Sequence, residues 1–403
     1  MAQANSANNH SEGVTRYATW AARIVVLAAF FDLFMQFPIM APHARDLGAS
    51  ATLVGVIVAA YSVTNLFGNL AAGFVLDRWG RRLPVLLGLG ITALAVLSYA
   101  IVRSPEQLLA ARAIHGLGAA ALTPGAFAIL GDRAVTERRA RAMALAGALI
   151  AVPAMIGPPA AGLLRDAWGA NAVFLADGAF VIATLVIFAS TSRGAWRPPD
   201  SRTRASDAEP LPALWRSRLL WSAYAAQFAI TVGVGVLVTH LPLVLEDQGE
   251  TAARSGVSFA IYALVSMLVM ASPIGGASDR IGRFIPLIVG LFGVAAGLAV
   301  VGTSAGYAGI AIGMAVFGLG YGLVFPAAAA LVTEATGPRR RGRVFGVFYA
   351  VYSLGVAAGA AGSGRLAGQF EDMAGLPFYA AAAVVLAALP IVATLRYATR
   401  SRG

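Results

Sequence analysis

Three charged side chains lie inside apolar stretches of this 403-residue chain: Asp32 in Phe30-Phe31-Asp32-Leu33-Phe34-Met35-Gln36, Arg112 in Leu109-Ala110-Ala111-Arg112-Ala113-Ile114-His115, and Asp177 in Phe174-Leu175-Ala176-Asp177-Gly178. A charge at the centre of a membrane-crossing segment costs about 2.5–3.5 kcal/mol on insertion scales, so such a residue is read as functional. A carboxyl that moves between a desolvated setting and the neighbourhood of an arginine can take up and release a proton. Gln36 stands one helical turn beyond Asp32 on the same face. Asp32 and Asp177 compete as partners of Arg112; the rival readings are a permanent Asp32–Arg112 ion pair that holds two helices together, a partly hydrated residue near the helix end for Asp177, and a side chain reaching the outer headgroups for Arg112. Other chemistry is excluded by composition. The chain has no cysteine and no lysine, and its four histidines are dispersed. Disulfides, thiol nucleophiles, zinc thiolates and a phosphate-binding Gly-Lys-Ser/Thr loop are therefore absent from the sequence. No enzyme, no metal and no cofactor are expected.

A second set of charges comes in duplicate. The loop Gly73-Phe-Val-Leu-Asp77-Arg78-Trp-Gly80-Arg81-Arg82 returns 202 residues later as Gly275-Gly-Ala-Ser-Asp279-Arg280-Ile-Gly282-Arg283. The register holds beyond the loop, pairing Pro84 with Pro286, Gly88 with Gly290, Gly118 with Gly320 and Pro124 with Pro326. Glycine permits the tight turn, and an aspartate beside arginines can form an ion pair or face a helix N-terminus. The loop reads as a latch that opens and closes, or as a fixed anchor to lipid headgroups. At the same offset Asp32 falls on Val234 and Arg112 on Met314, so the intramembrane charges belong to the first half alone.

The elements that position these residues follow from hydropathy. Hydrophobic residues make up 58% of the chain, charged residues 12%, and the mean hydropathy is +0.74, against about 25% charged in soluble domains. Stretches of the length that crosses a hydrocarbon core as helix fall at 20–42, 52–75, 83–102, 106–131, 142–164, 171–191, 219–245, 255–276, 285–304, 307–333, 344–366 and 374–396. The reading is an all-α membrane protein of twelve spans, six in each half. Domains are a polar tail at 1–19, a first bundle at 20–191, a linker with an interfacial helix at 192–218, a second bundle at 219–396 and a tail at 397–403. Of the 30 arginines, 24 fall in the tails and the loops on one side, which places both termini in the cytoplasm. The net charge of +11 is thus directed at lipid headgroups and not at nucleic acid.

Taken together, these residues resemble the major facilitator superfamily over essentially the whole chain. Its signature between helices 2 and 3 is matched by Gly73, Asp77, Arg78, Gly80, Arg81 and Arg82, and again by Asp279, Arg280, Gly282 and Arg283, with Phe284 replacing the last basic residue. Arg112 resembles the intramembrane arginine motif of helix 4. The run Gly157-Pro158-Pro159-Ala160-Ala161-Gly162 is similar to the glycine-proline motif of exporters, with Ala161 in place of a glycine; a kinked packing helix is the alternative. Asp32 with Pro38 and Pro42 resembles helix 1 of drug:proton antiporters.

The resemblance implies two pseudo-symmetric six-helix bundles around a midplane site, in a bacterial-type inner membrane. It implies proton-coupled efflux of a small amphiphilic or drug-like compound by alternating access, with Asp32, Arg112 and Asp177 coupling protons and a monomer as the working unit. An importer of a small organic anion clamped by Arg112, and a lipid-moving or non-transporting protein on the same scaffold, stay open. Gln36, Asn65, His115, Gln227, Tyr262, Tyr321, Tyr349 and Tyr352 are the candidate cavity-lining positions, each of which could instead be a hydrogen bond between packed helices.

Overall fold

The computed structural model describes residues 2–133, 139–191, 217–273, 282–336 and 341–400. Among them every regular element is an α-helix. The first half contains α1 (Ala2–Met35), α2 (Met40–Asp46), α3 (Ala51–Arg78), α4 (Arg82–Ser98), α5 (Pro105–Ala119), α6 (Leu122–Arg133), α7 (Arg139–Trp168) and α8 (Ala170–Thr191). The second contains α9 (Arg218–Asp247), α10 (Ala252–Ala271), α11 (Phe284–Thr303), α12 (Tyr307–Glu334), α13 (Arg341–Gln369) and α14 (Leu376–Arg400). Nine of the described spans are long and apolar enough to cross a membrane, α5 and α6 counting as one, and the bent pair α1 and α2 makes a tenth. The shorter apolar α4, of 17 residues, and α7 take the remaining places in the order expected for twelve. The linker at 192–216 lies outside the described residues.

Two expected spans are broken, and prolines account for both. The stretch at 20–42 ends as α1 at Met35, turns through Gln36–Ile39 and resumes as α2 at an angle of 48°. Pro38 has no N–H to continue the ladder, and the carbonyl of Gln36 takes the amides of Ile39 and Met40 instead. The stretch at 106–131 divides between Ala119 and Leu122, just ahead of Pro124. Its repeat mate α12 is continuous through Pro326. In the other direction α1 extends back to Ala2, through the segment expected as a tail, where no proline precedes Pro38.

Helix starts carry the caps that local chemistry predicts. Ser50, Ser104, Ser217 and Thr251 each accept a backbone N–H from three residues on, at the heads of α3, α5, α9 and α10. The duplicated loop keeps its backbone in both copies: Gly80 has φ +76° and Gly282 φ +84°. That left-handed conformation strains any residue with a Cβ, which is why the repeat conserves glycine between the arginines.

The halves meet at one end. Where α3 begins, Gly55 lies against Ala360 and Gly364 of α13, and Gly364 against Ala51. Where α7 finishes, Gly162 lies against Ala252 of α10, and Gly256 against Pro158. A Cβ at any of these positions would enter the facing backbone, so small residues let the helices approach to main-chain contact. One buried apolar core runs across both halves. A separate one, built from Ala22, Val26, Val85, Leu89, Leu122, Ile129 and Phe188, fills the first half towards the Gly80 turn.

Candidate functional site

Asp32 lies in the last turn of α1, and its carboxyl is fully buried with 0% exposure. Because α1 stops at Met35, Gln36 is free to fold back, and its Nε2 donates to Asp32 Oδ1 at 2.7 Å. From α5, His115 places Nε2 2.9 Å from Asp32 Oδ2. The other ring nitrogen of His115, Nδ1, is 2.8 Å from the hydroxyl of Tyr99, the residue that caps the end of α4. Asp177 of α8 is 1% exposed and lies beside Asp32 and Gln36. Neither of its carboxyl oxygens receives a donor from the described residues. Four elements of the first half thus converge on two carboxyls.

Arg112 belongs to this cluster without touching either acid. Its Nη1 donates to Gln36 Oε1, and its guanidinium stands 4.8 Å from the centroid of the Tyr61 ring. Among the described residues the ion partner of Asp32 within 4 Å is His115. The direct pair of Arg112 with Asp32 or Asp177, left open by the sequence, is therefore replaced by a bridge: arginine to glutamine to aspartate. At the equivalent places of the second half Val234 and Met314 are buried in apolar core.

The candidate cavity residues divide. Asn65 donates to the carbonyl of Gly116 at 3.2 Å and accepts from Asn69 at 2.7 Å, which ties α3 to α5. His115 belongs to the carboxyl cluster. Gln227 of α9 is buried, and its amide has no partner among the described residues. Tyr262, Tyr321 and Tyr349 form part of an aromatic run in the second half. Tyr262 and Tyr321 stand edge to face at 5.3 Å, Tyr321 stacks on Phe325 at 5.8 Å, and Phe348 joins Phe325 to Tyr349. Tyr352 is half-buried against the shared core.

At the Gly80 end, Arg82 donates to the carbonyl of Ala189 near the end of α8 at 3.4 Å. Arg81 is buried, and Arg78 lies 6.0 Å from the Phe74 ring. In the second copy Arg283 pairs with Glu334 at the foot of α12 at 2.7 Å. Asp279 and Arg280 lie outside the described residues, as do Gly73 and Asp77 beyond their helical backbone.

The glycine-proline run divides too. Gly157 faces Phe34 and Met35 of α1, whereas Pro158 and Gly162 sit in the seam with α10.

A charge network that sequence reasoning missed closes the opposite end. Arg45 of α2 reaches Glu246 at 2.6 Å and Asp247 at 2.7 Å, both at the end of α9. Arg165 of α7 reaches the same Glu246 at 3.0 Å and Asp46 at 3.5 Å. Asp166 accepts the backbone amides of Ala252 and Ala253 with its two oxygens, each at 2.9 Å. A first-half carboxylate thus occupies the positive N-terminus of a second-half helix. One signal was available: Arg45 and Asp247 are themselves 202 apart.

The sequence model described as Major Facilitator Superfamily matches residues 24–360 and 251–403. Multidrug resistance protein 2 of Bacillus subtilis is 24% identical over 371 residues, covering 90% of this chain and 91% of its own. Multidrug resistance protein 1 of the same organism is 28% identical over 174 residues, where the match spans 44% of that relative's length. Among solved structures, a bacterial homologue of the human lysosomal transporter Spinster, titled as inward-facing and occupied, superposes with a TM-score of 0.78 at 15% identity, over 95% of this chain and 97% of that one. These likenesses are in fold and family, and the fold is that of membrane transporters.

Proposed function

Since the chain belongs to the Major Facilitator Superfamily and is a multi-pass membrane transporter, we propose that it exports a small amphiphilic compound in exchange for protons. The observation that carries this reading is the buried pair Asp32 and Asp177, present in one half, where the mapped positions of the other hold Val234 and Tyr379 and no carboxyl. Two ionised carboxyls beside one arginine would leave a net negative charge in an apolar setting, which is costly unless compensated. One proton held between Asp32 and Asp177 neutralises the cluster and supplies the donor that Asp177 lacks. Proton loss to the cytoplasm, followed by substrate entry, would exchange one charge for the other.

The state described is closed where Arg45, Arg165 and Asp166 join the halves. With the arginine-rich loops cytoplasmic, closure at this end would correspond to an inward-facing form, and rocking about the midplane would break that network and close the Gly80 end. An inside-alkaline gradient would drive the proton inward and the compound outward, and an inside-acidic one would oppose export. A potential of 100 mV contributes about 2.3 kcal/mol per charge moved.

The names of the Bacillus subtilis relatives support the export direction. The rival role of Arg112 as an anion clamp is less supported, because its Nη1 is engaged by Gln36 and its side chain is buried over Tyr61. The test is ethidium counterflow in proteoliposomes driven by a pH gradient. Asp32→Asn is expected to abolish the dependence on the gradient; gradient-driven flux that survives in this variant removes the assignment.

A further inference from the structure

His115 has the type and place of a cavity residue, but both of its ring nitrogens are engaged inside the first half. Nε2 faces Asp32 Oδ2 at 2.9 Å and Nδ1 faces the Tyr99 hydroxyl at 2.8 Å. The ring is fully buried and stands edge to face with Tyr61 at 4.9 Å. Tyr99 is equally buried, and its own backbone carbonyl is held by Nε2 of His43, 3.2 Å away. Phe174 packs against both Tyr99 and His43.

A neutral imidazole has one donor and one acceptor, and the partner of one nitrogen decides the role of the other. The Tyr99 hydroxyl can donate a hydrogen bond to Nδ1, which then acts as the acceptor. The only ring N–H is then on Nε2 and points at Asp32. We propose that His115, aimed by Tyr99, is a positioning residue of the proton site that stabilises ionised Asp32 while staying neutral itself, and does not contact substrate. This rests on the reading of Asp32 as the proton carrier.

The electrostatic surroundings agree with a ring that stays neutral. Arg112 on the same helix contributes positive charge, and Asp32 and Asp177 contribute at most two negatives. Gln36 from the turn after α1 and Tyr61 from α3 complete the shell. A second cation beside Arg112 would have to be held in a fully buried ring next to a like charge. By hydrogen-bond geometry Asp32 has two neutral donors, Gln36 and His115, and Asp177 has none among the described residues. When Asp32 gives up the proton it shares with Asp177, both carboxyls are ionised, and the new charge forms on Asp32, where the donors are.

The test needs no substrate. Purified protein is titrated while the infrared carbonyl band of protonated carboxylic acids is followed, with the Asp32 contribution identified by its loss in Asp32→Asn. A hydrogen bond to the charged form of a group favours that form. His115→Leu is therefore expected to make Asp32 release its proton about tenfold less readily, a shift of about one pH unit. Tyr99→Phe, which removes one oxygen and keeps the ring, should move the midpoint in the same direction by less. His115→Gln, whose amide can reach the place of Nε2, should return it towards the parent value.

A purely structural histidine would lower thermal stability in all three variants without moving the midpoint. A midpoint that stays in place in both His115→Leu and Tyr99→Phe overturns the proposal. If Asp32→Asn removes no band at all, it is the proton-carrier reading that fails, and the two failures are told apart.

Discussion

Arg45 donates from Nη1 to Oδ1 of Asp247 at 2.7 Å, and the two residues stand 202 positions apart, the spacing that superposes the two copies of the Asp-Arg-x-Gly-Arg loop. They are therefore the same position in the two halves. In a pseudo-two-fold assembly, equivalent residues near the axis face each other. Had both remained arginine or both aspartate, like charges would meet; divergence into opposite signs makes the symmetric contact attractive. The seams beside it follow the same symmetry: Gly162 meets Ala252, and its mate Gly364 meets Ala51. Asp166 breaks the symmetry. Its mate is Gly368, so only the seam of α7 and α10 carries a carboxylate cap.

Charge reversal tests the Arg45 contact. The pair is partly exposed, with side chains at 36% and 64%, and such pairs contribute about 0.2–1 kcal/mol. Arg45→Asp sets three acids together with Asp247 and Glu246 and should shift the population towards opening at that end. The double variant Arg45→Asp with Asp247→Arg should restore closure. The chain has no cysteine, so spin labels at Asn171→Cys and Asp372→Cys report the separation directly; equal distances in single and double variants would count against the pairing.

Asp166→Ala removes both acceptors from the head of α10. Loss of a helix cap costs about 0.5–2 kcal/mol, here withdrawn from the closed state alone. The same labelled pair should show a larger open fraction, with Asp166→Asn intermediate because it keeps one acceptor. No change in either variant would mean that Thr251 suffices as the cap.

Gly256→Leu should prevent closure. A side chain there enters the backbone of Pro158, and main-chain atoms cannot yield as a flexible side chain does. Transport is expected to stop while the infrared titration of Asp32 persists, since the carboxyl cluster lies within the first half. Retained transport would show that α7 and α10 separate without needing to return.

Asn65→Ala separates packing from substrate contact. It removes the side-chain bond between α3 and the Gly116 carbonyl, which keeps the Ala120 amide, and takes the acceptor from Asn69, a loss of about 0.5–1.5 kcal/mol per hydrogen bond. A lower unfolding temperature with unchanged ethidium half-saturation is expected. A large change in half-saturation at unchanged stability would return Asn65 to the cavity wall.

The fold was legible because each level of the chain points the same way. Apolar stretches of crossing length and a repeat at constant offset are properties of the string itself, and both reappear in the helices. Gly80 and Gly282 were legible for the same reason, since a left-handed turn leaves little choice of residue. The broken first span was less so: Pro38 signals a break, but the 48° bend depends on what α2 packs against.

The sequence by itself determined the twelve-segment order, the two-fold repetition and the restriction of Asp32, Arg112 and Asp177 to one half, because hydropathy, spacing and charge are additive along the chain. Only the tertiary structure decided that Gln36 bridges Arg112 to Asp32, that His115 lies between Asp32 and the Tyr99 hydroxyl, and that Arg45 and Asp166 join the halves. These depend on which side chains from distant segments arrive within about 3 Å of one another with donor facing acceptor. That is a property of helix packing angles, and no local pattern encodes it.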